Sequence, residues 1–327
     1  MPTVLVSRQI VHSLAIGAAA SAAMAGDSPR SLRVHSVFDS TLNIEIEGED
    51  ILVAVTGPAG DGFAHAVATE YEGSFRKWNL EPGDRGSLSE NLIVFHTRGG
   101  RTAIDLSRAR VSRRSVLPAW TCTGDGSAFR ACENGLEMVQ AERGCDLRLS
   151  LLRSGGQAAT PMAEELCRAA RGLGRAALDF VSARGVRRTA ARETAAVRQA
   201  ATSLVGRGPG LTPAGDDFLS GFLAALRCAS VQDGAGRAIR ELDAELCSAI
   251  ERSLSSTVAV SASLLRCAMR SYWLRPLAGI ADALASGSAA GASRALADLC
   301  AFGHSSGADI ATGFLYGLGL FARPEDR

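Results

Sequence analysis

From Gly206 to Asp217 the chain reads GRGPGLTPAGDD: four glycines, two prolines and two adjacent acids, leading directly into the apolar run FLSGFLAAL. Gly206, Gly208 and Gly210 allow backbone conformations and close approaches that a Cβ would forbid, and Pro209 limits the freedom of the loop. Thr212 stands where a helix N-cap belongs and Pro213 at the first helical position, which puts Gly215, Asp216 and Asp217 in the first turn. The N–H groups of such a turn, with the positive end of the helix dipole, suit a phosphate or other anion. Gly206, Arg207, Gly208, Gly210, Thr212 and Gly215 are therefore candidate substrate or phosphate contacts. The two acids would repel a bare phosphate, which leaves three uses for them. They can share a magnesium ion with phosphate oxygens, accept hydrogen bonds from a urea-like NH2, or only complement the dipole.

The same grammar recurs at GHSSGADIATGFLYGLGL, residues 303–320. Shifted by 92 positions, Gly215, Asp217, Gly221, Phe222, Leu223 and Leu226 fall on Gly307, Asp309, Gly313, Phe314, Leu315 and Leu318, six identities in twelve positions. Each copy is a loop entering a helix, with an acid in its first turn and a glycine four residues later on the same face. Gly221 with Ala225 and Gly313 with Gly317 make small-residue faces where two helices can approach closely. A crossing there would bring Asp216, Asp217, Asp309 and His304 toward one region. Ser305, Ser306, Gly307 and Asp309 join the candidate substrate contacts. Asp216, Asp217 and His304 are the candidate catalytic groups, with Asp216 and Asp217 as the magnesium position. Ser306 and Asp309 also fit a capping box, and His304 can equally be a solvated loop residue. No Ser-His-Asp triad follows from this spacing.

The elements that must position these groups divide along the chain. From Ser31 to about Ser107, within a unit bounded at 31–115, the apolar period is two, as in Leu42, Ile44 and Ile46, with buried runs at ILVAVTG (51–57) and NLIVFH (91–96) separated by turn residues. This predicts a mainly β domain, a small barrel or sandwich. Residues 1–30 read as an N-terminal helix or extension and 116–158 as a loop-rich bridge. From 159 to 327 the period is helical, with helices expected near 187–204, 213–228, 236–254, 258–271, 275–286, 290–302 and 306–321. Strands followed by helices make the fold class α+β. Other features stand outside the helical motifs. The glycine-rich stretch Gly57 to Gly62 can be a substrate-facing loop, though it reads more simply as a hairpin connection, and the arginines 108, 110, 113 and 114, and 184, 187, 188, 192 and 198, can form anion-binding patches or ordinary solvated faces.

Composition narrows the partners. With 35 basic and 34 acidic residues the net charge is +1, so no electrostatic footprint for nucleic acid or an anionic membrane exists. Lys77 is the sole lysine, so a fixed positive charge near a substrate falls to arginine. The eight cysteines (122, 132, 145, 167, 228, 247, 267 and 300) include no C-x-x-C pair, which favours small buried thiols in a reducing, cytoplasmic setting. The run IGAAASAAMAG (16–26) has some signal-peptide character, but Arg8 alone precedes it and His12 and Ser13 interrupt the apolar stretch.

GPGLTPAGDDFLSG, the downstream GHSSGADIATGFLYGL and the N-terminal VHSVFDSTLNI together resemble the AllH-type subunit of oxamate carbamoyltransferase, a family formerly catalogued as a domain of unknown function. The likeness runs from about residue 31 to 321. This chain has Ala214 where the family usually has serine, and Ser305 where it usually has threonine. The resemblance implies a subunit that works with an acyl-CoA-synthetase-like protein and a third subunit. Together they would interconvert oxalurate plus phosphate with oxamate plus carbamoyl phosphate in ureide or purine breakdown. It implies a glycine loop that holds the phosphate or carbamoyl phosphate, with Arg207 as the nearest positive charge. The alternative is a non-catalytic subunit that binds an anion or scaffolds a catalytic partner.

Overall fold

The computed structural model describes residues 7–26, 29–97, 100–120, 126–154, 158–185, 191–229 and 236–321. The chain divides into two compact units, Met1–Ser115 with Tyr272–Arg275, and Val116–Ser271 with Pro276–Arg327.

The first unit is a closed β-barrel. Its strands are β1 (Ser7–Ile16), β2 (Arg30–Val37), β3 (Thr41–Ile46), β4 (Val53–Thr56), β5 (Ala66–Thr69), β6 (Arg85–Ser89), β7 (Leu92–Thr97) and β8 (Gly100–Asp105), with a short β9 (Arg110–Val111). They run in the order β5-β4-β3-β2-β6-β7-β8-β1, and β1 closes the ring by pairing antiparallel with β5 while parallel to β8. Closure leaves no unpaired edge in the ring. Alternation fills the interior: Val34, Leu42, Ile44, Ile46, Val53, Val55, Val67, Leu88, Ile93, Phe95 and Ile104 are all buried in one core. Phe75, Trp78 and Tyr71 add an aromatic cluster with ring centroids 4.8–5.3 Å apart.

The strand β1 corrects the expectation of a helix or extension over residues 1–30. Along it Val11, Ser13 and Ala15 are buried, whereas Ile10 and Leu14 are 60% and 46% exposed. Apolar residues on both faces erase the period of two, which is why this strand does not show in the pattern. The small-residue run that follows forms helix α1 (Ala18–Met24), burying Ala19, Ala20 and Ala23.

The second unit is helical, so the chain is α+β. The expected loop-rich bridge is also corrected, since it holds α2 (Ser127–Arg143) and α3 (Leu149–Ser154). Gln140, 1% exposed, ties the two together: its amide donates to Leu147 O and accepts from Leu149 N–H. Beyond them come α4 (Pro161–Gly185), α5 (Ala191–Thr202), α6 (Ala214–Ala229), α7 (Gly236–Ser253), α8 (Ala259–Met269), α9 (Arg275–Ala285), α10 (Ala289–Cys300) and α11 (Ser306–Phe321). The helices read from the apolar period from residue 213 onward coincide with α6 to α11 to within two residues. Among the described cysteines all are free thiols and all but Cys247 are buried; Cys122 lies outside the described residues. No helix among the described residues is long and apolar enough to cross a membrane.

Candidate functional site

The two glycine-rich motifs meet because α6 and α11 cross in direct backbone contact. A Cβ on Gly221 would lie 1.9 Å from Ile310 O and 2.8 Å from Phe314 N; one on Gly313 would lie 2.0 Å from Phe218 O and 3.0 Å from Phe222 N. These contacts are reciprocal under the 92-residue shift, which takes Phe218 to Ile310 and Phe222 to Phe314. The helix pair therefore has internal two-fold pseudosymmetry. Gly317 continues the seam against Ala225, so the helices run in the same direction and their N-termini converge. Each start is also pressed onto the chain that leads into it: a Cβ at Gly215 would strike Leu204 O, in the turn after α5, and one at Gly307 would strike Leu299 O, in the last turn of α10.

At the convergence Asp217 and Asp309, equivalent under the same shift, become neighbours in charge, and they are 3% and 1% exposed. Thr212 Oγ1 and Ser306 Oγ, 2.6 Å apart, bridge the two starts, and both hydroxyls favour the ionised Asp217. Asp217 Oδ2 and Asp309 Oδ1 nevertheless have no hydrogen-bond partner. Burial raises the Asp217 carboxyl well above the usual range, and the neighbouring Asp309 raises it further. Burial pushes Asp309 up to about 8, opposed by the Ser305 hydroxyl. At neutral pH the pair thus retains proton, although both acids lie in first turns whose dipoles favour the carboxylate.

Asp216 points elsewhere. Its Oδ1 accepts from Gly206 N–H at 2.8 Å, and its Oδ2 accepts from Thr257 Oγ1 at 2.5 Å and Ser261 Oγ at 2.6 Å. It closes the glycine loop onto the start of α8. Burial raises its carboxyl, while those three donors lower it. Thr257 and Ser261 belong to this site but carry no motif of their own; a Ser-Ser-Thr cluster before a helix reads as a cap.

The loop has the conformation its glycines require, with φ of 72° at Gly206, 110° at Gly208 and 103° at Gly210. Its N–H groups are partly spent within the chain, since Gly215 N–H donates to Arg207 O at 2.9 Å and Gly206 N–H to Asp216. The cap lies one residue later than expected. Asp216 and Asp217 N–H both donate to Pro213 O, and Thr212 reaches Ser306 instead of capping α6. Arg207 is exposed and pairs with Glu165 at 3.5 Å. In the second motif Asp309 N–H donates to Ser305 O at 2.9 Å and Gly307 N–H to Phe302 O at 3.0 Å. The His304 side chain is exposed, and its carbonyl is held by Arg143 Nη1 at 2.8 Å, which also binds Cys300 O. The structure therefore brings together Thr212, Asp217, Ser306 and Asp309. It sets Asp216 behind them as a loop clamp and places the Arg207 and His304 side chains at the surface.

Asp216 has no oxygen left open for a magnesium ion, since both are taken by hydrogen-bond donors. Among the described residues no three or more His, Cys, Asp or Glu side chains gather as ligands. Cysteine nucleophiles are unsuited here, since burial pushes Cys132 and Cys228 up to about 12.

Residues 204–318 match the family described as oxamate carbamoyltransferase subunit AllH, and residues 11–111 match the AllH family N-terminal domain. The two matches cover the barrel and the crossed helices in turn, and no solved structure matches the chain. The chain belongs to the AllH family, whose description as an oxamate carbamoyltransferase subunit implies a subunit role in a multi-subunit complex.

Proposed function

We propose that this subunit contributes the carbamoyl-holding corner of an enzyme that interconverts oxalurate plus phosphate with oxamate plus carbamoyl phosphate, in ureide or purine breakdown. The observation that carries the reading is the pair of buried carboxyls, each with an unpartnered oxygen, at the junction of two glycine-rich helix starts. A carbamoyl or ureido group presents N–H donors on one edge and a carbonyl oxygen on the other. The unpartnered acid oxygens match the first, and the helix N-termini match the second.

In the phosphorolytic direction a phosphate oxygen attacks the ureido carbonyl carbon. The C–N bond to oxamate breaks, and the leaving nitrogen takes up a proton. Asp309, still protonated near neutrality, is the group we assign to hold that proton, with Asp217 accepting from the ureido N–H. Asp216 is a positioning residue that fixes the loop through Gly206. Arg207 and His304, exposed in the isolated subunit, are assigned to the phosphate or to the partner chain that closes over it. No step is routed through a metal.

The partners in this reading are an acyl-CoA-synthetase-like protein and a third subunit, acting in the cytoplasm. Gentle purification of the tagged chain from its own host, with mass spectrometry of what accompanies it, tests that composition. Stoichiometric recovery of both partners is expected; recovery of the chain alone would contradict it. Asp216, whose oxygens are all satisfied within the chain, is the observation that favours a second reading, a scaffolding subunit whose acids serve only the fold. Heat protection by carbamoyl phosphate or oxamate that Asp217→Asn abolishes supports the first reading, because a ligand bound to the native state raises the melting temperature by mass action; protection that Asp217→Asn leaves intact, or none, supports the scaffold.

A further inference from the structure

Two of the sequence features left outside the helical motifs, the Gly57 to Gly62 stretch and the arginines at 108–114, meet in the barrel unit. A pocket of about 50 Å³ is lined by Arg113, Arg114 and Arg275, by Ser112 and Ser115, and by the chain around Gly62, all within that unit. No acid lines it.

Two of its guanidiniums are held in place. Arg275 rests on the glycine-rich turn: its N–H donates to Gly62 O at 2.9 Å, its Nη2 donates to Asp61 O at 3.2 Å, and its Nη1 lies 3.5 Å from Asp61 Oδ1. Gly62 has a φ of 110°, and a Cβ there would come within 3.2 Å of the guanidinium, so the bare Cα makes room for the charge. Arg114 lies over the Tyr272 ring, 4.9 Å from its centroid. Asp61, beside the pocket, is shared between Arg275 and Arg110, whose Nη2 donates to it at 2.8 Å. The balance of charge at the rim is therefore positive, supplied by side chains whose planar forks match oxyanions. Buried Trp273 gives one wall an apolar surface. The volume suits a few waters or one small oxyanion and excludes a nucleotide, at roughly 10–15 Å³ per water.

We propose that this pocket is a binding site for a small oxyanion, a carboxylate or phosphate group, separate from the crossed-helix site. The proposal does not rest on the carbamoyl reading, because every group in it belongs to the barrel unit.

The test is isothermal titration calorimetry of the full chain with inorganic phosphate and, separately, with oxamate at constant ionic strength. One saturable site per chain is expected for at least one of them, and the tighter anion identifies the source. The double variant Arg113→Gln, Arg114→Gln alters two exposed side chains and should weaken binding at least tenfold with an unchanged melting temperature, while Arg294→Gln, an exposed arginine of α10 in the helical unit, should bind phosphate as the parent does. No saturable heat with either anion would overturn the proposal, as would a double variant that binds like the parent. Loss in Asp217→Asn with retention in the double variant would move the anion to the helical unit and overturn it equally.

Discussion

Asp217 and Asp309 hold protons in the folded chain that the unfolded chain has already released. Asp309 rises from an ordinary 3.8 to about 8 and Asp217 moves in the same direction, so between those values the native state binds more protons than the unfolded state. Stability from this source is complete at the acid end and is lost as pH rises, by about 1.4 kcal/mol per pH unit for each group fully out of balance. Burial holds His65 at about 4 against 6.5, which works the other way but only below 6.5. Asp39 and Asp105, both lowered, act only in stronger acid. The melting temperature should therefore fall from pH 6.5 to 8, and Asp309→Asn should flatten that fall; a melting temperature that rises over this range would contradict the assignment. Asp216 makes a different prediction. Asp216→Ala leaves Gly206 N–H and the Thr257 and Ser261 hydroxyls without their acceptor, and should cost about 3 kcal/mol or more in denaturant unfolding.

The crossing of α6 and α11 is the element on which the site depends. Gly313→Ala forces a methyl to within 2.0 Å of Phe218 O, and backbone cannot yield as a flexible side chain would. The expected loss is about 3 kcal/mol or more in thermal or denaturant unfolding. Gly172→Ala, in α4 with nothing within 4 Å of the added methyl, should instead stabilise by about 0.5–1 kcal/mol. The crossing itself was legible in the repeated spacing of Gly221 and Gly313, since small residues one turn beyond an acid have few other uses. What stayed hidden is equally instructive. Strand β1 escaped because Ile10 and Leu14 face outward, and α2 escaped because its buried stripe, Ala128, Cys132, Leu136 and Gln140, is made of one large apolar residue among small or polar ones, while α3 is only six residues long. The partners of Asp216 escaped because Thr257 and Ser261 lie more than forty residues away in sequence and meet it only through folding.

At the scale of the whole molecule the chain is a closed barrel and a helical unit joined in one AllH-family subunit, and family membership makes its activity a property of an assembly. The most direct test of the account is carbamoyl transfer by the complete reconstituted complex carrying Asp217→Asn or Asp309→Asn, each variant first shown to fold and to assemble. Loss of turnover by about two orders of magnitude or more, the usual weight of a positioned acid or base, is the predicted result for Asp309→Asn. Asp217→Asn should raise KM as well as lower kcat, because it removes an acceptor for the bound N–H. Unchanged transfer in both variants would contradict the central claim and leave the acid pair to the fold alone.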